Sequence, residues 1–132
     1  MNCDVLVVGA SSAGVMAAIS AAEGGASVML LDRKLGRLHH DANTLFEGMA
    51  AVSGIKIDDC LLKKELEGMR ILSPSGKGVT IPAKGYFIDR EAFDRHYLHL
   101  AEKAGVALLS DEVRSLHLEG NGRTVGLKGV QI

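Results

Sequence analysis

Residues 5–33 read VLVVGASSAGVMAAISAAEGGASVMLLDR, and the fold follows from that stretch. Cys3 to Val8 is an apolar run rich in β-branched residues, the pattern of a buried parallel strand. The turn Gly9-Ala10-Ser11-Ser12-Ala13-Gly14 comes next. A helix is predicted from about 13 to 23, rich in alanine so that it can lie close to a sheet, and stopped by Gly24 and Gly25. Ala26 to Leu31 is a second apolar strand, and it ends on an acid, Asp32.

Strand, glycine turn, helix, strand and acid form a unit in which each part has a physical task. Gly9 permits the tight turn. A small residue at Ser11 lets backbone approach a pyrophosphate, and its hydroxyl can itself donate to a phosphate. Gly14 lets helix and strand pack closely. The helix start offers unpaired N–H groups and a partial positive charge to the phosphates, which adds Ser12 and Ala13 to the candidate set. Asp32 stands 23 residues after Gly9, where a carboxylate can accept hydrogen bonds from ribose hydroxyls. This is a Rossmann-type βαβ unit suited to the ADP half of a dinucleotide. Asp32 argues against NADP, whose 2′-phosphate it would repel, while Arg33 beside it is the residue that would favour such a phosphate. The turn alone does not separate NAD from FAD.

The bulk numbers set bounds. A length of 132 residues suggests one domain, 1–132, long enough to bury roughly two-thirds of its unfolded surface. A net charge of −1 gives no footprint for nucleic acid or an anionic membrane, and 4% aromatics with no Trp argues against base-stacking platforms. Cys3 and Cys60 lie in no motif and read as free thiols in a reducing compartment. The first apolar stretch has no basic run before it and is broken by Gly9 and Gly14, so a signal peptide is not expected. No window reaches about 18 uninterrupted apolar residues, so no membrane span is expected and the location is read as cytoplasmic.

Short helices are predicted around 43–51 and 58–67, the second with Leu61, Leu62 and Leu66 on one face. A hairpin follows: Met69 to Leu72, the turn Ser73-Pro74-Ser75-Gly76-Lys77-Gly78, and Val79 to Ile81. Tyr86 to Ile88 is a short strand. Residues 90–104 form a helix whose apolar stripe is Phe93, Tyr97, Leu100, Ala101 and Ala104, with Asp89 as N-cap and Gly105 at its C′ end. Val106 to Leu109 is a third parallel strand. Val113 to Leu118 and Thr124 to Lys128 form an antiparallel pair, and Gly129 to Ile132 resembles the start of a further strand.

Three segments decide the cofactor together: Val5–Arg33, Ile71–Pro82 (ILSPSGKGVTIP) and Gly85–Gly105 (GYFIDREAFDRHYLHLAEKAG). They resemble the geranylgeranyl reductase family of FAD-dependent oxidoreductases, within the larger p-hydroxybenzoate hydroxylase-like group. The most specific phrases are SP-x-G, DR-x-x-FD and the A-x-x-A-G helix end. The resemblance covers nearly all of this chain but about a third of a typical member. It implies an α/β class: a Rossmann-like FAD/NAD(P)-binding domain with a parallel sheet plus an antiparallel hairpin, incomplete relative to the family. It also implies bound FAD, which when reduced delivers hydride to carbon–carbon double bonds of isoprenoid lipids. Carried over, Gly9, Ser11 and Gly14 match the pyrophosphate turn, and Asp32 with Arg33 matches the adenosine-ribose site. Arg90 matches a position reaching the FAD phosphates or flavin, Val113 one near the adenine, and Arg37 a loop where relatives place a flavin-contacting Arg. Many members carry C-x-E-G after the second strand; here Leu45-Phe46-Glu47-Gly48 keeps the Glu and Gly and lacks the thiol.

The remaining residues have plainer readings. His39, His40, Asp41, His96 and His99 fix no third metal ligand by spacing, so no metal site is expected, and His40 reads as a solvated loop residue. Glu47 is a candidate general acid against a solvated helix carboxylate. Arg90 at a helix start is unfavourable unless an anion lies near. Tyr86, Phe87, Phe93 and Tyr97 read as core. No catalytic residue is assigned. Three functions stand at this point. The first is the FAD-binding portion of a reductase of isoprenoid or other apolar substrates. The second is a non-catalytic dinucleotide-binding module that needs further residues or a partner. The third is an NAD-dependent dehydrogenase domain, disfavoured by the hairpin and the DR-x-x-FD helix. A sheet edge near 124–132 is expected to be exposed and to invite self-association.

Overall fold

The computed structural model describes residues 2–35, 42–119 and 122–128. In chain order the elements are β1 (Val5–Val8), α1 (Ser12–Glu23), β2 (Val28–Asp32), β3 (Thr44–Phe46), α2 (Glu47–Ser53), a 3-10 turn (Asp59–Leu61), β4 (Leu62–Leu72), β5 (Gly78–Ile88), α3 (Arg90–Lys103), β6 (Ala107–Ser110), β7 (Val113–Glu119) and β8 (Gly122–Leu127). They fall into two compact units, Met1–His39 with Asp94–Ile132, and His40–Phe93.

The first unit holds the parallel sheet, in the order β1-β2-β6. β2 is paired on both sides, Val5 to Val28 with β1 and Met29 to Ala107 with β6 in parallel register. That placement explains why Leu30 and Leu31 are the most deeply buried large side chains. α1 packs on β1 and β2 with Val15, Ala18 and Ile19 inward. The register of β1 on β2 is locked ahead of the strands: Asp4 Oδ2 accepts both the Ser27 hydroxyl (2.7 Å) and its N–H (2.8 Å). Those bonds hold the Asp4 carboxyl below the usual carboxylate range. The sequence pattern predicts a fully buried first strand, but Val5, Leu6 and Val7 are half-buried and Val8 is 57% exposed. The reason is that β1 has a partner on one side only among the described residues.

Both crossover helices end in the same way. Gly25 N–H donates to Ala22 O and Ala26 N–H to Ala21 O; Gly105 N–H donates to Glu102 O and Val106 N–H to Ala101 O. This paired 5→2 and 6→1 pattern satisfies the last carbonyls and turns the chain directly into a parallel strand. At the other end of α3, Asp89 accepts the Ala92 N–H at 3.0 Å, the expected N-cap bond. Phe93, Tyr97, Leu98 and Ala101 are buried along α3. β7 and β8 form a two-stranded antiparallel ribbon, as the sequence predicts, and neither has a second partner among the described residues.

The second unit is a three-stranded antiparallel sheet, β3-β5-β4. Here the structure corrects the expectation from sequence. Residues 62–67 are not helical; they begin an eleven-residue strand that pairs with β5 from Leu62–Ile88 to Leu72–Gly78. Lys, Glu and Leu favour helix locally, but cross-strand pairing overrides that weak preference. Leu62 and Leu66 are half-buried strand positions rather than one face of a helix. The predicted helix at 43–51 is β3 followed by α2. Val79–Ile81 and Tyr86–Ile88, expected as separate strands, are one strand interrupted by a register shift beside Pro82. The predicted turn is present, with Ser73 N–H donating to Lys77 O at 2.8 Å. Phe87, expected in the core, is 41% exposed. Beyond the register shift, Met69 lies opposite Ile81 and Ile71 opposite Val79, and all four are exposed.

Candidate nucleotide-binding site

The carboxyl ends of β1 and β2 bring the candidate residues together. Gly9 follows β1 with φ +105°, a conformation open to glycine, and its N–H donates to Leu31 O at 2.7 Å. The turn is thus tied to β2 before the helix begins. Ser11 caps α1 in extended conformation (φ −69°, ψ 168°) and its hydroxyl makes no capping bond. Its carbonyl accepts the first helical bond, from Val15 N–H at 2.9 Å. The N–H groups of Ser12, Ala13 and Gly14 lie ahead of that bond, and the first turn carries no acid. A helix start of this kind favours an anion.

Gly14 is where helix and turn meet. A Cβ there would fall on the carbonyl oxygen of Gly9. The close approach expected for this position is therefore backbone on backbone, with no side chain that could move aside.

Asp32 does more than the sequence shows. Its Oδ2 accepts the Ala10 N–H at 2.8 Å and its Oδ1 the Lys34 N–H at 2.8 Å. The carboxylate therefore staples the glycine turn to the end of β2. Ser110 is the register partner of Asp32 on β6, and Asp111 N–H donates to Asp32 O at 3.1 Å. That bond brings the start of β7, with half-buried Val113, to the same end of the sheet. Nothing in the spacing of the sequence signals the Ala10–Asp32 bond or the approach of Asp111.

Arg33 is exposed in the turn after β2. Arg37, with His39, His40 and Asp41, lies outside the described residues. Arg90 opens α3 within the second unit, its guanidinium 5.5 Å from the centre of the Phe93 ring. Glu47 is also in the second unit. The Tyr86 hydroxyl and then the Lys84 ammonium hold its carboxyl below the usual range, the opposite of what a general acid at neutral pH needs. Among the described residues no helix is long and apolar enough to cross a membrane.

The residues present fit an ADP-containing cofactor on two observations: the open backbone at Gly9, packed directly on Gly14, and an acid-free helix start beside a stapled carboxylate. The family pattern of FAD dependent oxidoreductases matches residues 4–36. A digeranylgeranylglycerophospholipid reductase of Methanosphaera stadtmanae is 36% identical over 118 residues, covering 83% of this chain and 30% of the relative. One of Methanopyrus kandleri is 36% identical over 132 residues, covering 97% and 33%. A solved structure, a geranylgeranyl bacteriochlorophyll reductase-like protein of Thermoplasma acidophilum, matches with TM-score 0.82 and 27% identity over 96% of this chain and 34% of that one. The chain thus spans about a third of the length of these relatives. The matches run through both units and not only through the glycine turn, and on that breadth the chain belongs to the geranylgeranyl reductase family of FAD-dependent oxidoreductases, of which it carries the FAD-binding portion.

Proposed function

We propose that this chain holds the ADP half of FAD in a flavin-dependent reductase of isoprenoid or other apolar substrates. The observation that carries the reading is the stapled turn, with Gly14 backbone against Gly9 and Asp32 bonded to Ala10 N–H. In this reading the N–H groups from Ser12 to Gly14 and the Ser11 hydroxyl face the pyrophosphate. Asp32 takes a ribose hydroxyl, with Val113 near the adenine. Arg33 stands with Asp32 at the adenosine ribose, Arg90 supplies a cation toward the phosphates or the flavin, and Arg37 one toward the flavin. Bound FAD supplies hydride transfer; the chain binds it, orients it and keeps its anionic part neutralised. The relatives' names, which specify a geranylgeranyl-bearing phospholipid, support an apolar isoprenoid chain as the substrate class.

Titration of the purified chain with FAD, ADP, FMN and NAD, read by flavin fluorescence and calorimetry, tests this. FAD and ADP are expected to bind competitively, and FMN, which lacks the adenosine half, is expected not to bind. Tighter binding of NAD than of FAD, or no binding of any of them, would overturn the assignment.

The coverage of about a third of each relative favours a second reading for the chain alone, nucleotide binding without redox turnover. A yellow protein whose chemically reduced flavin is not reoxidised by an isoprenoid substrate corresponds to it. The cytoplasm is the location proposed. The β7–β8 ribbon, without a second partner among the described residues, supports self-association through its edge. Light scattering is expected to show a species larger than a monomer at high concentration; a monomer at every concentration overturns that expectation.

A further inference from the structure

Two side chains of β5 close on one oxygen of Glu47, the first residue of α2. The Tyr86 hydroxyl donates to Oε1 at 2.7 Å, and the Lys84 ammonium lies 3.1 Å from the same oxygen. Lys84 Nζ is also 5.9 Å from the centre of the Tyr86 ring. The register of β3 on β5 brings these distant residues together, with Leu45 opposite Tyr86 and Phe46 opposite Gly85. Gly85 is buried, and a Cβ there would meet Phe46 Cδ1 at 2.6 Å, so the Phe46 ring rests on bare backbone. β3 has three residues and α2 seven, too few to hold themselves. Phe46 occupies the N-cap and provides no capping bond. The junction between β3 and α2 therefore rests on the seat of Phe46 and the grip on Glu47.

We propose that Glu47 is a positioning residue: held by Tyr86 and Lys84, it fixes the Leu45-Phe46-Glu47-Gly48 turn onto β5 and sets where that segment stands. The reductase reading is needed only for the segment's purpose, through its likeness to C-x-E-G; the grip itself stands on geometry within one unit.

Among the described residues, the titratable groups around Glu47 are few. β3 and the rest of α2 carry none, β5 brings Lys84 and Tyr86, and β4 places Glu65 in register opposite Tyr86. Tyr86 first and Lys84 second lower the Glu47 carboxyl, and Glu47 in turn raises Lys84 and Tyr86. Because Glu47 is lowered, its contribution is complete above the ordinary glutamate range and is lost as pH falls through the lowered value. Because Lys84 is raised, its contribution is complete below the ordinary lysine range and is lost as pH rises through the raised value.

The test is amide exchange on the whole chain, with protection at Ala50 and Ala51, whose N–H groups make the first helical bonds of α2, followed against pH in the parent and in E47Q, Y86F, K84M and K84R. Expected are a several-fold loss of protection at neutral pH in E47Q and K84M, near-parent behaviour in K84R, and an acid step in the parent that E47Q abolishes. Equal protection in parent and E47Q, K84R as fast as K84M, or an acid step that survives in E47Q overturns the proposal. FAD titration of the same samples keeps the two readings apart. A chain that shows the acid step but binds no FAD supports the grip and overturns the cofactor assignment. A chain that binds FAD with no acid step does the reverse.

Discussion

Replacing Gly14 with alanine is expected to lower the stability of the chain by about 3 kcal/mol, or Tm by about 10 °C. FAD affinity is expected to fall with it. Two effects of opposite sign meet here, and their magnitudes decide the outcome. Gly14 lies in the first turn of α1, and alanine is favoured over glycine in helices by about 1 kcal/mol. The added methyl would, however, fall on the Gly9 carbonyl oxygen, and both groups are backbone, so relief requires the turn and helix to separate. Separation also breaks the surface on which a pyrophosphate would rest. Gly48 is the internal control, since it too is helical but a Cβ added to it would meet nothing within 4 Å. Gly48→Ala is expected to be neutral or stabilising by less than about 1 kcal/mol. Thermal unfolding of the two variants side by side is the measurement. A G14A chain as stable as G48A would show that the close approach has no energetic weight.

The second large effect is at Asp32. Asp32→Asn keeps the shape but leaves one oxygen where two accept backbone N–H groups. Either Ala10 or Lys34 then faces an amide NH2, donor against donor. If the carbonyl stays toward Lys34, the glycine turn loses its tie to β2; if it flips, the turn after β2 loosens instead. A sugar hydroxyl would also lose a charged acceptor. Hydrogen bonds to charged groups are worth about 1.5–3 kcal/mol, so FAD and ADP affinity is expected to fall roughly ten- to hundredfold. Calorimetric titration of ADP measures this without the flavin. Binding within twofold of the parent would mean that the carboxylate neither grips the sugar nor organises the turn.

How much is legible from sequence differs sharply between the two units. β1, the glycine turn, α1 and β2 are legible because each is set by near neighbours: β-branched runs, a turn that needs glycine, and a helix stopped by Gly24-Gly25. α3 is legible for the same reason, through Asp89, the Phe93–Tyr97–Ala101 stripe and Gly105. Leu62-Lys63-Lys64-Glu65-Leu66-Glu67 misleads because its composition suits a helix, while its actual partner, β5, begins at Gly78. Pairing at that distance leaves no local periodicity when both strands are largely exposed. In the site, the spacing of Gly9, Gly14 and Asp32 picks out residues that the fold does bring to one end of the sheet. It cannot show that the carboxylate grips Ala10 N–H, because a backbone donor has no identity in a sequence. Tyr86 and Glu47, 39 positions apart, each draw attention alone, yet only the register of β3 on β5 makes them partners.

The discontinuity of the first unit has a consequence for how the chain is made. β2 can bond to β1 as soon as both have left the ribosome, but its other side waits for Ala107–Ser110, more than 70 positions later. At about 5–20 residues per second, that is a delay of several seconds. During that interval Leu30 and Leu31 have gained only one of their two covers. Newly made chains therefore pass through a sticky stage whose length is fixed by the His40–Phe93 insertion, and slower translation of that insertion lengthens it.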